Sequence, residues 1–478
     1  MAIRNWAGTR RALLAGAAGA AAAAAGTATA ATDGGGGKGG VGAKAQPTVL
    51  LINMDDFRQT DWPYMRRTLR ALAGHRMFEN YIIDAPLCGP SRASLLTGRY
   101  VHNTGVYWNE GAPDEIAGYT AYMERRLDRV SLGRVLQRVG YRTAMIGKFM
   151  NLYDGTQPRP MGWDRWVAVT RKGHLGVPLN IDGETVQFPK TAYSTEVLRD
   201  YCLQFIDEAP ADDPLFLYFA TPAPHGPVEA ARQHRKAFPA AQVERNAAFD
   251  ESDVSDKPLH VQAAPPLSQS LIRRLDATQR GRLQMLLSVD EAIDAILSRL
   301  RDQGRLDNAY VMITSDNGLL LGQHRLYGKA VPYDMVSRVP MLAWGHGFRE
   351  GRDTRLTATV DIAPTVAQIA GAKLPGADGM SLLSAARRDY VPLQLVSDPQ
   401  LPSNGYGLRS ERLMYFEYVS GDREYYDYKY DPLELDNLMP PGAPMAPLQP
   451  QLPAPETLSA RLAELRRCRG ANCLVKQG

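Results

Sequence analysis

Two acidic pairs stand where chemistry is usually done. Asp55 and Asp56 follow directly on the apolar run 48–53, and Asp316-Asn317-Gly318 follows the apolar run 309–314. Either pair alone reads as an ordinary turn or cap. Together, at the ends of two neighbouring strands, three carboxylates and a carboxamide form a set of hard oxygen donors. That set suits calcium, with magnesium as the alternative, better than zinc. Lys148 follows a third apolar run, 142–147, and His225 comes shortly after a fourth, 214–220. Between the first two strands lies Cys88-Gly89-Pro90-Ser91-Arg92. Pro90 fits the first turn of a helix. Cys88 then sits at a helix N-terminus, where partial positive charge favours an anion, with Arg92 one turn along.

Positioning these groups requires a sheet. The apolar runs 48–53, 142–147, 214–220, 309–314 and 339–344 read as buried strands. Helical patterns at 131–139, 194–208, 270–303 and 361–370 alternate with them. The fold class predicted is α/β: a large, mostly parallel sheet sandwiched by helices. Ligand sites in such sheets gather at the C-terminal strand ends, where the polar clusters fall. After about residue 390 the texture changes. Residues 413–420 and 424–430 alternate aromatic and polar types, as paired antiparallel strands do, and a Pro-rich stretch, 440–454, precedes an amphipathic helix at 456–467. A smaller C-terminal antiparallel subdomain, 391–478, is therefore expected beyond a catalytic domain at 47–390. Pocket walls come from loops, and nothing in segments 155–190 and 226–268 assigns them to a particular ligand.

The N-terminus stands apart. Thr9-Arg10-Arg11-Ala12-Leu13-Leu14, an Ala/Gly run and Ala28-Thr29-Ala30 read as an export signal of twin-arginine type over 1–30, followed by a Gly-rich linker, 31–46. The Ala/Gly run is too weakly apolar for a stable membrane span. Net charge is +4 for 478 residues, and Arg4, Arg10 and Arg11 account for three of the four excess charges. That balance gives no basis for nucleic-acid binding. In an exported chain Cys468 and Cys473 are close enough to pair, and Cys202, inside a helical pattern, reads as a core thiol.

Cys88-Gly89-Pro90-Ser91-Arg92, with Leu96-Thr97-Gly98-Arg99 after it, fits C-x-P-S-R followed by L-T-G-R. From about residue 47 onward the chain resembles the type I sulfatases of the alkaline-phosphatase-like superfamily. Gly98 to Val106, Gly147-Lys148-Phe149-Met150-Asn151, Pro222 to Pro227, Leu287-Ser288-Val289-Asp290 and the terminal C-x-G-x-x-C are similar to the N-acetylglucosamine-6-sulfatase and endosulfatase branch. The resemblance implies a formylglycine made from Cys88 by a formylglycine-generating enzyme. It implies metal ligands at Asp55, Asp56, Cys88, Asp316 and Asn317. It places Arg92, Lys148, His225 and Lys329 around the sulfate, with His225 and Lys329 as donors to the leaving oxygen. One departure stands out: Met150 occupies a position where the best-known arylsulfatases carry His, so Asn151 or His324 is expected to fill that role. The implied substrate is a sulfated small molecule or carbohydrate, with N-acetylglucosamine-6-sulfate units preferred. The alternatives are a broad arylsulfatase and a phosphate or phosphonate monoester hydrolase. A sulfated-glycan binder without turnover would be expected to have lost part of the signature.

Overall fold

The computed structural model describes residues 46–110, 116–396 and 403–474, together with Arg4 and Asn5, a two-residue strand beside one sheet edge. Arg10-Arg11, the Ala/Gly run and the Gly-rich linker up to residue 45 lie outside the described residues. Ten strands build the main sheet: β1 (Thr48–Met54), β2 (Arg76–Ile82), β3 (Arg142–Gly147), β4 (Arg165–Val169), β5 (Leu179–Ile181), β6 (Glu184–Gln187), β7 (Leu215–Thr221), β8 (Ala309–Ser315), β9 (Met341–Gly345) and β10 (Gly351–Ala358). Their spatial order is β6-β5-β4-β3-β7-β1-β8-β9-β2-β10. The five central strands, β4 to β8 in that order, are mutually parallel. Antiparallel strands flank them on both sides, so the sheet is mixed.

β1 and β7 are buried along their whole length, which explains their unbroken apolar sequences: both faces are covered, so no polar alternation is needed. Helices α1 (Cys88–Thr97), α2 (Leu132–Gln137), α3 (Ser194–Asp207), α4 (Gln269–Asp302) and α5 (Ile362–Ile369) cover the sheet. In α4, Ser268 caps the start by accepting from the Leu271 N–H at 3.2 Å. Leu286, Val289, Ile293, Ile296, Leu297 and Leu300 then recur at helical spacing and pack into the core beneath β1, β7 and β8. α1 is buried at every residue and ends at Gly98, whose φ of 69° suits glycine.

Strands β11 (Val391–Leu395), β12 (Gly405–Arg409), β13 (Leu413–Tyr418) and β14 (Arg423–Asp427) form an antiparallel meander, and α6 (Pro455–Leu465) follows. The buried Glu424 accepts hydroxyls from Tyr333, Tyr418 and Tyr426, which ties the meander to the main sheet's loops. Cys468 and Cys473 form a disulfide, and Cys202 is a buried free thiol. The Cys468 carbonyl accepts from Asn103 Nδ2 at 2.8 Å and lies 2.9 Å from His102 Nε2. The His102-Asn103 segment thus anchors the C-terminal tail.

Asp84, just past β2, makes stability pH-dependent. It is fully buried and accepts from Ser94 Oγ and the Val101 N–H, both at 2.9 Å. Burial, aided by the Asp378 charge and only partly offset by those bonds, pushes its pKa up to about 7. The folded state therefore holds a proton that the unfolded chain releases near pH 4. This contribution is fully present below about pH 4, is lost as pH rises to about 7, and is constant above that. Asp84→Asn keeps the acceptor and removes the charge. Thermal unfolding of the variant between pH 4 and pH 8 should show a shallower decline than the wild type; parallel curves would refute the assignment.

Candidate active site

Four of the parallel strands end at one place. β3, β7, β1 and β8 are neighbours, and their C-terminal ends carry Lys148, the His225 loop, Asp55-Asp56 and Asp316-Asn317 respectively. Gly147 has φ 128°, and a Cβ there would lie 1.9 Å from the Ala220 carbonyl oxygen. Only glycine lets β3 close against β7 while the Lys148 N–H donates to that same carbonyl at 2.7 Å. Asp56 sits in the left-handed region at φ 63°, which Asp tolerates better than most residues. Its N–H donates to Asp316 Oδ1 at 3.1 Å, so the two acidic turns lock together.

Cys88 opens α1 and is 1% exposed. The next N–H, of Gly89, donates to Asn109 Oδ1 at 2.7 Å. Cys88 Sγ lies 3.4 Å from Asp55 Oδ1 and 2.8 Å from Lys329 Nζ. Lys329 reaches the site because the chain after β8 doubles back, with Leu320–Leu321 pairing with Tyr327–Gly328. Its ammonium also donates to Asp56 Oδ1 at 2.6 Å and lies 3.4 Å from Asn317 Oδ1. Lys148 Nζ donates to Asp55. Arg92, fully buried, donates from Nε to Asp316 Oδ2 at 2.8 Å and from Nη1 to the Lys148 carbonyl at 2.5 Å. His225 Nδ1 is 2.6 Å from the Gly226 carbonyl, which turns Nε2 toward Asp56 at 3.8 Å.

The electrostatics follow from this crowding. Burial opposes the charge on Asp55, but Lys148, His225 and Arg92 outweigh it and hold the carboxyl well below its usual range. Asp56 is lowered in the same way: burial opposes its charge, and Lys329 and His225 overcome it. Burial, with the Asp55 charge, leaves Asp316 above the usual range despite Arg92. Burial, with Asp316 and Asp55, pushes the Cys88 thiol up to about 12. In the absence of a cation, burial therefore favours the protonated thiol of an unmodified Cys88, a poor nucleophile.

The donor set fits a hard divalent cation. Ligand atoms of Asp55, Asp56, Cys88 and His225 lie within 4.8 Å of one another, and Asp316 and Asn317 adjoin them. The Lys329 ammonium touches Asp56, Asn317 and Cys88 together, marking where these ligands converge on positive charge. Asp55, Asp56 and Asp316 balance Arg92, Lys148 and Lys329, so a divalent cation brings charge that an anionic nucleophile and a monoanionic ester would neutralise.

Above this floor opens a cavity of about 750 Å³, room for a sugar ring beyond the ester group. Asn151 lines it, with an Oδ1 that is buried and has no hydrogen-bond partner among the described residues. His324 does not line it; its Nδ1 is 2.6 Å from Glu251 Oε2 and its ring stacks on Tyr333. Three residues the sequence reading passed over also serve the site. Asn109 caps the turn of Cys88, and His174 Nε2 lies 2.8 Å from the His225 carbonyl. The third, Arg282, lies beneath the Asp56 turn. Nothing in the sequence marks the first two. Arg282 had a signal, since Asp276, Gln279 and Arg282 interrupt the apolar stripe of α4 at helical spacing.

The Sulfatase family model matches residues 47–372. The chain belongs to the sulfatase family. It is 34% identical over 361 residues to human N-acetylglucosamine-6-sulfatase, covering 72% of this chain and 64% of that protein. It is 34% identical over 353 residues to a putative extracellular sulfatase Sulf-1 homologue of Caenorhabditis elegans, covering 71% of this chain and 49% of the nematode protein. The chain thus spans from about half to somewhat under two thirds of the length of these relatives. Its fold is shared with BT4656, solved in complex with its substrate D-glucosamine-2-N,6-O-disulfate: TM-score 0.67, 22% identity, 82% of this chain and 93% of that one.

Proposed function

We propose that this chain hydrolyses a sulfate monoester, with residue 88 as nucleophile after conversion to formylglycine and with calcium, or magnesium in its place, as the cation. The observation that carries the reading is the position of Cys88. Its Sγ stands in for an oxygen of the hydrated aldehyde, against Lys329 and Asp55 on the floor of the cavity. The modified residue supplies a geminal diol: one hydroxyl, whose pKa a bound cation would lower, attacks sulfur as the S–O bond to the alcohol breaks, and the second then loses its proton, so that the aldehyde re-forms and sulfate is expelled. Asp55, Asp56, Asp316 and Asn317 hold the cation. Arg92 keeps Asp316 and the Lys148 backbone in place, while Lys148 and Lys329 neutralise sulfate oxygens. His225 and Lys329 are the groups within reach to protonate the departing alcohol. A carboxamide does not titrate here, so Asn151 orients the ester or the sugar rather than taking a proton.

The names of the relatives, and a cavity larger than a sulfate group needs, support a 6-O-sulfated glucosamine or N-acetylglucosamine unit as substrate. Cys88 is buried at the start of a wholly buried helix, so the formylglycine-generating enzyme must act before folding. A twin-arginine route, which exports folded proteins, is consistent with that order, and the extracellular relative supports export. Among the described residues no helix is long and apolar enough to cross a membrane. Comparing kcat/KM for the sulfate and phosphate esters of one alcohol tests the reaction class; the sulfate ester should be favoured by about 100-fold or more. The reverse preference would identify a phosphate or phosphonate monoester hydrolase. Activity on aryl sulfates alone, with none on any sulfated hexosamine, would replace the sugar assignment with a broad arylsulfatase.

A further inference from the structure

One guanidinium under the site touches two of its loops. Arg282 projects from α4 and is 1% exposed. Its Nη2 donates to the backbone carbonyl of Asp56 at 2.6 Å, and its Nη1 donates to the carbonyl of Pro224 at 3.3 Å. The first carbonyl belongs to the left-handed turn that presents the Asp56 carboxylate. The second belongs to the residue before His225. Arg282 is itself fixed: Nη2 also reaches Asp61 Oδ2 at 3.2 Å, and Gln279, one turn earlier on α4, donates to Asp61 Oδ1 at 3.3 Å. Asp61 in turn accepts from the Arg58 N–H at 3.1 Å, two residues beyond Asp56.

We propose that Arg282 is a positioning residue that sets the Asp56 turn and the His225 loop at a fixed separation, and so fixes both cation affinity and the placement of the acid. The chemistry is specific to a planar fork. Two nitrogens of one guanidinium satisfy two carbonyls on separate loops, which a single ammonium does less well. A left-handed non-glycine turn persists only where its surroundings over-determine it; the Asp56 N–H is held by Asp316 and the Asp56 carbonyl by Arg282. Residues that orient ligands in this way commonly change metal affinity by about 10- to 100-fold when replaced.

The inference builds on the proposed cation site, so its test reads binding as well as turnover. Calcium affinity by titration calorimetry, metal-free thermal unfolding and steady-state kinetics would be measured for Arg282→Met and Arg282→Lys. Arg282→Met is expected to bind calcium at least about 10-fold more weakly and to lose kcat more than it raises KM. Arg282→Lys keeps the charge beside Asp61 and should fall between it and the wild type. A purely structural arginine would lower the unfolding temperature and leave calcium affinity and kcat within twofold, and that result would overturn the proposal. If Arg282→Met does not fold, Arg282→Lys decides alone: wild-type affinity and kcat would overturn it. Failure of the cation site itself would be seen in the wild type, as no calcium or magnesium binding before any variant is made, and would remove both readings.

Discussion

Cys88→Ala is expected to cost on the order of 10⁵-fold or more in kcat while leaving the fold in place. The side chain is small, and what surrounds it is charged rather than apolar: Asp55 at 3.4 Å and Lys329 at 2.8 Å. Its removal opens little apolar space, so thermal unfolding should move by no more than a few degrees. Turnover has no substitute for residue 88, because no other side chain on the cavity floor can supply a geminal diol. Cys88→Ser is the sharper variant. The introduced hydroxyl can be sulfated but has no second hydroxyl to expel the group, so at most one equivalent of alcohol should appear per enzyme. Sustained steady-state turnover by Cys88→Ser would sink the diol mechanism.

Asp56→Asn should produce the second largest effect, on binding, rate and stability together. Asn tolerates the left-handed backbone at φ 63°, so the turn itself is not disturbed. What changes is charge. One hard ligand loses its anion, and Lys329, with a side chain 15% exposed, loses its closest carboxylate. Removing one partner of a largely buried pair costs about 3 kcal/mol, in metal-free protein as well. Calcium affinity should weaken by about 100-fold and kcat by about 1,000-fold. Calorimetry and denaturant unfolding in chelator separate these contributions. Wild-type calcium affinity in the folded variant would remove Asp56 from the ligand set.

Of the five central strands, β1, β3, β7 and β8 and their polar ends were legible, because burial leaves an unmistakable apolar run; β4 was not. Residues 48–53, 142–147, 214–220 and 309–314 each lie within one residue of the observed strand at either end. Of the flanking strands, β9 was legible as the run 339–344, while β2, β5, β6 and β10 were not. β2 reads Arg76-Met77-Phe78-Glu79-Asn80-Tyr81-Ile82, and its charges are met by partners far along the chain, such as Asp353 for Arg76. Neither periodicity nor length announces such a strand. β5 and β6 did carry a signal: Asp182-Gly183, both at positive φ, is a two-residue hairpin turn. The site divides the same way. Asp55, Asp56, Cys88, Arg92, Lys148, His225, Asp316, Asn317 and Lys329 meet at one floor, as strand ends and motif together suggested. His102 was linked by motif to substrate choice, yet it bonds Gln394 and the Cys468 carbonyl and does not line the cavity. In this chain the segment is a docking point for the tail. His324 sits with Glu251 because the loop before Lys329 packs on buried polar groups that only the tertiary fold brings near.

The central claim is that residue 88 acts only after modification. Protein produced with varying amounts of a formylglycine-generating enzyme would be digested, and the peptide containing residue 88 weighed to give the converted fraction. The same preparations would be assayed for sulfate release under calcium saturation. Activity should rise in proportion to the converted fraction and extrapolate to zero for the pure thiol, which has no geminal diol. Full activity in protein whose residue 88 is entirely unmodified cysteine would contradict the account.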